Sequence, residues 1–518
     1  MTIDKSNKYD RQLRLWASTG QSNLELSHIC LINGTTTGSE ILKNLILPGI
    51  GNFTIIDDKE ITTNDLAGNF FLTNDNIGQL RASALCESLM ELNEDSKGHA
   101  ITDSLDEIDD SVWDRFNVVV VSDYIDPEFL DTLKTKLFKK EIPLFIVNTV
   151  GFYGTINLII NEITVIETHT SQLFDLRIDQ PWQELSELSD SYQLDSLDDS
   201  DHAHVPYVII LMQALRSWSD SHNGPPTTMT EKRQFKKFVQ DQSRNFTFET
   251  NFNEAVSSVF RAYQKTQVPS MVKSLMNNDK ISDKNLNNET PFFWILIRAL
   301  KSFVELYGNL PLPGTLPDMA SDTNNYITLQ NLYRDKAAKD KELFIEEVKR
   351  VLTIIGRLDG LTALEIELIN IFCKNSHSIH VTSGSSQMTS KSLLEQMLSN
   401  KSNDYDNEEY NHLAIYFGIM TFNHFIKQNN HVPEESDYDN FIKLFSEVFE
   451  CHPDLPLSAL KTFKEIVCHS SSHYHNISSL MGGIASQEVL KIATSQYVPL
   501  DNLYVFDGIR SQSDKYKI

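Results

Sequence analysis

Six residues, Asn33-Gly34-Thr35-Thr36-Thr37-Gly38, stand where a chain of this pattern would hold a nucleotide. They follow the apolar run HICLIN. They precede SEILKNLILPGIG, in which Ile41, Leu42, Leu45 and Ile46 fall at helical spacing. FTIIDD then reads as a second strand ending in two acids. Strand, turn, helix, strand is the order of a nucleotide-binding βαβ unit. In a working G-x-G-x-x-G the first glycine makes the tight turn, and the second lets the backbone approach phosphate. Those positions are Asn33 and Thr35 here, and only the third, Gly38, is kept. A threonine Cβ stands where phosphate oxygens should pack. The fold signal is intact and the ligand signal is damaged, which suggests a subunit that helps another chain do chemistry.

Other groups offer less. None of the five cysteines (Cys30, Cys86, Cys373, Cys451, Cys468) lies in a C-x-x-C pair, and an odd number argues against a disulfide framework. Cys86 and Cys373 sit among apolar residues. Cys451-His452 and Cys468-His469 are adjacent pairs, and neighbours on one element usually point apart, so incidental thiols are the preferred reading. Cys468, His469, His473 and His475 have the composition of a metal site but lack a second ligand pair at finger spacing. His202 and His204 are read as structural.

The elements around the turn alternate. IGQLRASALCESLMELNE reads as a helix with Leu80, Ala84, Leu85 and Leu89 inward. FNVVVVSD is a continuous apolar strand, suited to a parallel sheet buried on both faces. DPEFLDTLKTKLFKKE, IPLFIVNTV and GFYGTINLII continue the pattern. The expectation is a doubly wound α/β domain over 1–168, a mainly helical insert over 169–475, and a return to the α/β domain over 476–518 through MGGIASQEVLKIATSQ and LYVFDG. At 518 residues the chain exceeds one ordinary core. A net charge of −26 argues against nucleic-acid binding. The longest apolar stretch, after Tyr207, is too short to span a bilayer, and the start lacks a signal peptide's apolar core. The expected location is the cytoplasm, the nucleus or both.

Three segments carry a family resemblance. Tyr9-Asp10-Arg11-Gln12-Leu13-Arg14-Leu15-Trp16, then Ile41-Leu42-Lys43-Asn44-Leu45 with Pro48-Gly49-Ile50-Gly51, and Gly482-Gly483-Ile484-Ala485-Ser486-Gln487-Glu488-Val489-Leu490-Lys491 resemble the activating enzymes of ubiquitin-like modifiers, a ThiF-like family. Within it the chain is most similar to the regulatory, non-catalytic subunits that serve Rub/Nedd-type modifiers. The resemblance implies a Rossmann-like pseudo-adenylation domain, a catalytic partner subunit, a modifier and a conjugating enzyme.

It also implies what is missing. The ribose-holding acid is kept as Asp57, Lys59 stands where the family's second acid would be and would repel a metal, and the phosphate lysine appears as Arg81. By the resemblance, the family's adenylating Asn and Arg-Gln pair align with Asp65, Gly68 and Asn69. The implied cofactor assignment is that ATP and magnesium sit in the partner and none in this chain. The resemblance implies that Arg11 reaches the partner's ATP in trans, a role that suits a guanidinium because it can fork two phosphate oxygens. Arg14 is expected to be structural. Tyr326, Leu329, Leu332 and Tyr333 are expected to contact the catalytic subunit. The alternatives are a self-sufficient adenylating enzyme of the same fold and a nicotinamide-dependent oxidoreductase. The regulatory subunit for a sumo-type modifier would lack the large insert.

Overall fold

The computed structural model describes residues 5–170, 174–399, 411–451, 454–472 and 474–518. The chain forms two units, residues 1–165 with 381–518, and residues 166–380.

The α/β unit opens with helix α1 (Asp10–Leu26), strand β1 (His28–Ile32), helix α2 (Thr36–Ile46) and strand β2 (Asn52–Ile56). Helix α3 (Arg81–Met90), strands β3 (Lys97–Ile101) and β4 (Val118–Ser122), helix α4 (Pro127–Lys139), and strands β5 (Leu144–Val150), β6 (Tyr153–Ile159) and β7 (Glu162–Val165) follow. Period-two side-chain alternation makes the fold doubly wound. Ile29 and Leu31 join Phe53, Val118 and Val120 in a core shared with Leu42 and Leu45 of α2. Cys30 and Ile32 join Val119, Val121 and Ile146 on the opposite face, under Leu130, Leu133 and Leu137 of α4. The apolar β4 is buried at every position, as its sequence requires. In α3, Ala84, Leu85 and Leu89 are buried as expected. Leu80, however, is the N-cap and 39% exposed, because the helix starts at Arg81.

The helical unit contains α5 (Tyr207–His222), α6 (Phe292–Tyr307), the 32-residue α7 (Thr323–Ile354) and α8 (Ala363–Asn375). It is shorter than the expected 169–475. After β8 (His380–Ser383), helices α9 (His412–Asn429), α10 (Tyr438–Val448) and α11 (Leu457–Cys468) belong to the α/β unit. The reason is packing. Phe417, Phe425, Phe445 and Phe463 share a core with Val150, Tyr153, Leu503 and Val505 of the sheet. Helix α12 (His475–Thr494) and strands β9 (Leu503–Asp507) and β10 (Gln512–Tyr516) complete the unit. The sheet order is β10-β9-β6-β5-β4-β1-β2-β3. Strands β3, β2, β1, β4 and β5 pair parallel, whereas β6, β9 and β10 pair antiparallel.

Candidate functional site: a nucleotide turn closed by its own side chains

The turn after β1 keeps its shape without the first glycine. Asn33 takes φ +66°, a left-handed conformation that asparagine tolerates better than most residues. Its Nδ2 donates to the carbonyls of Ser122 (3.2 Å) and Tyr124 (2.8 Å) at the end of β4. Thr35 is the N-cap of α2, and its hydroxyl accepts from Gly38 N–H at 3.2 Å. That hydroxyl also shares a 2.6 Å hydrogen bond with Ser122 Oγ. The capping side chain therefore takes one of the helix N-terminal N–H groups that a phosphate could otherwise meet. Gly38 is needed for packing, since a Cβ there would lie 2.8 Å from the Asn33 carbonyl.

Below the turn, the ribose-position acid is consumed internally. Asp57 has no exposed side-chain surface and accepts from Gly34 N–H (2.7 Å), Lys59 N–H (3.1 Å) and Arg81 Nε (2.6 Å). Arg81, also buried, donates from Nη1 to Asp65 Oδ1 at 2.8 Å. Burial pushes the Asp65 carboxyl up, but the Thr62 hydrogen bonds and Arg81 outweigh it and hold it below the ordinary carboxylate range. Arg81 is thus held between two carboxylates, with Nε and Nη1 both engaged. Lys59 is exposed, with its ammonium 6.0 Å from the centre of the Tyr124 ring. Asn69 is buried and donates to Ser39 Oγ at 2.8 Å, and the Gly68 carbonyl shares a 2.8 Å hydrogen bond with His475 Nδ1. Of the groups at the nucleotide-facing positions, Asp57 and Arg81 are thus bonded to each other, Asn69 to Ser39 and Gly68 to His475, while Lys59 stays open to solvent.

Asp65 was legible only as a lost ligand. Its role as Arg81's second partner goes with the capping box Thr62-Thr63-Asn64-Asp65, whose spacing fixes the carboxylate beside the turn. Gly34 lies between the motif positions, so the motif assigns it no role. Its N–H holds Asp57, and a Cβ there would meet Leu85 Cδ1 at 2.5 Å.

The thiols lack activation. Burial raises Cys86 to about 11 and Cys373 to about 12, and raises Cys30, Cys451 and Cys468 as well. A nucleophilic thiolate requires the opposite shift. His469 pairs with Glu465 (3.4 Å), whereas His475 turns to Gly68. His452 and His473 lie outside the described residues. Among the described residues no group of three or more His, Cys, Asp and Glu could hold a metal. His202 pairs with Glu249 at 2.5 Å, and His204 bonds the Ser200 carbonyl, so the two do not converge.

Arg11 is exposed on α1 and has no hydrogen-bond or ion-pair partner among the described residues. Arg14 pairs with Asp10 at 2.8 Å. The expected interface stripe on α7 is corrected in part. Leu329 and Tyr333 have no exposed surface and belong to the helical unit's own core, and Tyr333 donates to the Leu176 carbonyl. Leu332 packs partly on the same core, and Tyr326 is half-buried. Apolar spacing of i, i+3 and i+4 marks a covered face, and here this chain covers it.

The chain belongs to the ThiF family, whose model matches residues 9–518. More narrowly, it is 35% identical over 539 aligned positions to a Gallus gallus protein named NEDD8-activating enzyme E1 regulatory subunit. That alignment spans 99% of this chain and 98% of the relative. A Xenopus laevis protein of the same name is 34% identical over 99% of both chains. The Arabidopsis thaliana protein named NEDD8-activating enzyme E1 regulatory subunit AXR1 is 31% identical over 100% of this chain and 97% of the relative.

Proposed function

We propose that this chain is the non-catalytic, regulatory half of a heterodimeric activating enzyme for a NEDD8-type modifier. With its catalytic partner it supports adenylation of the modifier, thioester formation on the partner, and transfer to a conjugating enzyme. The observation that carries the reading is the Asp57–Arg81–Asp65 cluster, which fills a nucleotide-binding turn with the chain's own charges. A working adenylation site needs those groups free. The raised thiols support placing the thioester elsewhere. ATP and magnesium then sit in the partner, and Arg11, exposed and without an ion-pair partner among the described residues, is a cation offered to them. Five unpaired thiols suit a reducing compartment, the cytoplasm or nucleus.

Co-expression with the catalytic subunit of a NEDD8-activating enzyme tests the reading. The two chains should co-purify as a 1:1 complex that forms a modifier thioester on the partner. Failure to assemble, or a thioester on this chain, would refute it.

A further inference from the structure

Arg11 is exposed, yet the segment that carries it is fastened at both ends. Just before α1, Tyr9 is only 3% exposed. Its Oη donates to Asp95 Oδ2 and accepts from Asn93 Nδ2, both at 3.1 Å. Asn93 is buried and also donates to the Ile46 carbonyl at the end of α2 (2.8 Å), so the tyrosine is tied to the first βαβ unit. Lys8 reinforces the anchor through Asn93 Oδ1 (2.6 Å) and Asp95 Oδ2 (2.7 Å). The ring lies against Gly49, which has φ +95°. A Cβ there would stand 2.7 Å from the Tyr9 oxygen, so this approach requires glycine. At the other end α1 kinks at Trp16 and Ala17, the latter with φ +55°. Gln496 Nε2 donates to the Trp16 carbonyl at 3.0 Å. Between the two anchors, Arg11 and the 56% exposed Leu15 are four residues apart and share one helix face.

An arm that merely joined the chain to its partner would not need a buried phenol hydrogen-bonded to two side chains, because the ring alone would pack on Gly49. We infer that Tyr9 is a positioning residue for Arg11. Its hydroxyl, held by Asn93 and Asp95, fixes the rotation of the first turns of α1 and so the direction in which the guanidinium leaves the surface. The inference rests on the proposed trans role of Arg11. It predicts that the phenolic oxygen matters to the partner's chemistry although it contacts no substrate. A small error in the aim of a charged clamp lowers its share of transition-state binding.

The test is ATP–pyrophosphate exchange by the reconstituted heterodimer, with modifier saturating. Wild type, Tyr9→Phe, Arg11→Ala and the double variant are compared, reading KM for ATP and kcat separately. Phenylalanine keeps the ring on Gly49, so folding and assembly should be retained. Tyr9→Phe should lower kcat/KM about three- to tenfold, the scale of one or two lost hydrogen bonds. On the Arg11→Ala background the same change should have no further effect. If Tyr9→Phe is equally harmful on both backgrounds, the hydroxyl acts through something other than Arg11, and the inference fails. If Arg11→Ala is impaired but Tyr9→Phe matches wild type, the inference fails while the proposed role of Arg11 stands. If Arg11→Ala itself matches wild type, the trans role falls and this inference with it.

Discussion

Replacing Arg81 by methionine should destabilise the α/β unit severely, and the structure gives the size. Asp57 is fully enclosed, and after the change it keeps only the N–H groups of Gly34 and Lys59. Removing one partner of a buried ion pair costs about 3–5 kcal/mol, because the remaining charge is left uncompensated. The bond to Asp65 adds less, since that carboxylate is partly open to water. A loss of this size is a large share of a typical domain's stability, about 5–15 kcal/mol. It should appear as a fall of roughly two to three and a half orders of magnitude in hydrogen-exchange protection of the β1 and β2 amides. Arg81→Met combined with Asp57→Asn should recover at least half of the loss, because the second change removes the stranded charge. Protection within about threefold of wild type in Arg81→Met alone would show that the cluster is not holding the turn closed.

Three further outcomes are expected. Arg11→Ala should leave assembly intact and slow partner-catalysed pyrophosphate exchange about ten- to a hundredfold, the value of one charge-assisted phosphate contact of roughly 1.5–3 kcal/mol, with Arg11→Lys recovering only part. Cys→Ser at each of the five cysteines should leave thioester formation unchanged, and a reductant-sensitive adduct mapped to Cys451 or Cys468 would contradict this. The folded-state pKa of Asp65 is depressed, so its stabilisation is present above the ordinary carboxylate value of 3.8 and is lost as pH falls through the lower folded value. Asp65→Asn should therefore flatten the decline of stability below about pH 4, and an unchanged acid limb would count against the Thr62 and Arg81 contacts.

The strands and the damaged turn were legible because both are local. β4 is a run of valines with no polar face, and Asn33 and Thr35 can be read directly against the motif glycines. Proximity across the chain was not legible. Apolar periodicity shows that Leu329 and Tyr333 are covered but not by what, and they proved to be core residues of their own unit. Likewise α9 is buried on nearly every side, which marks it as a core helix without saying which core it enters. The short β3 carries Gly98 and His99 and only half-buried or exposed residues, so neither composition nor alternation announced it. Arg81 read as a lysine substitute because its partners lie 24 and 16 residues away in sequence.

If the Asp57–Arg81–Asp65 cluster closes the turn, this chain serves a nucleotide site it does not itself contain. Calorimetric titration with magnesium and a non-hydrolysable ATP analogue tests it most directly, performed on the isolated chain and on the reconstituted heterodimer. No binding to the chain alone and one nucleotide per heterodimer are expected. Two nucleotides per heterodimer, or tight magnesium-dependent binding to the isolated chain, would contradict it.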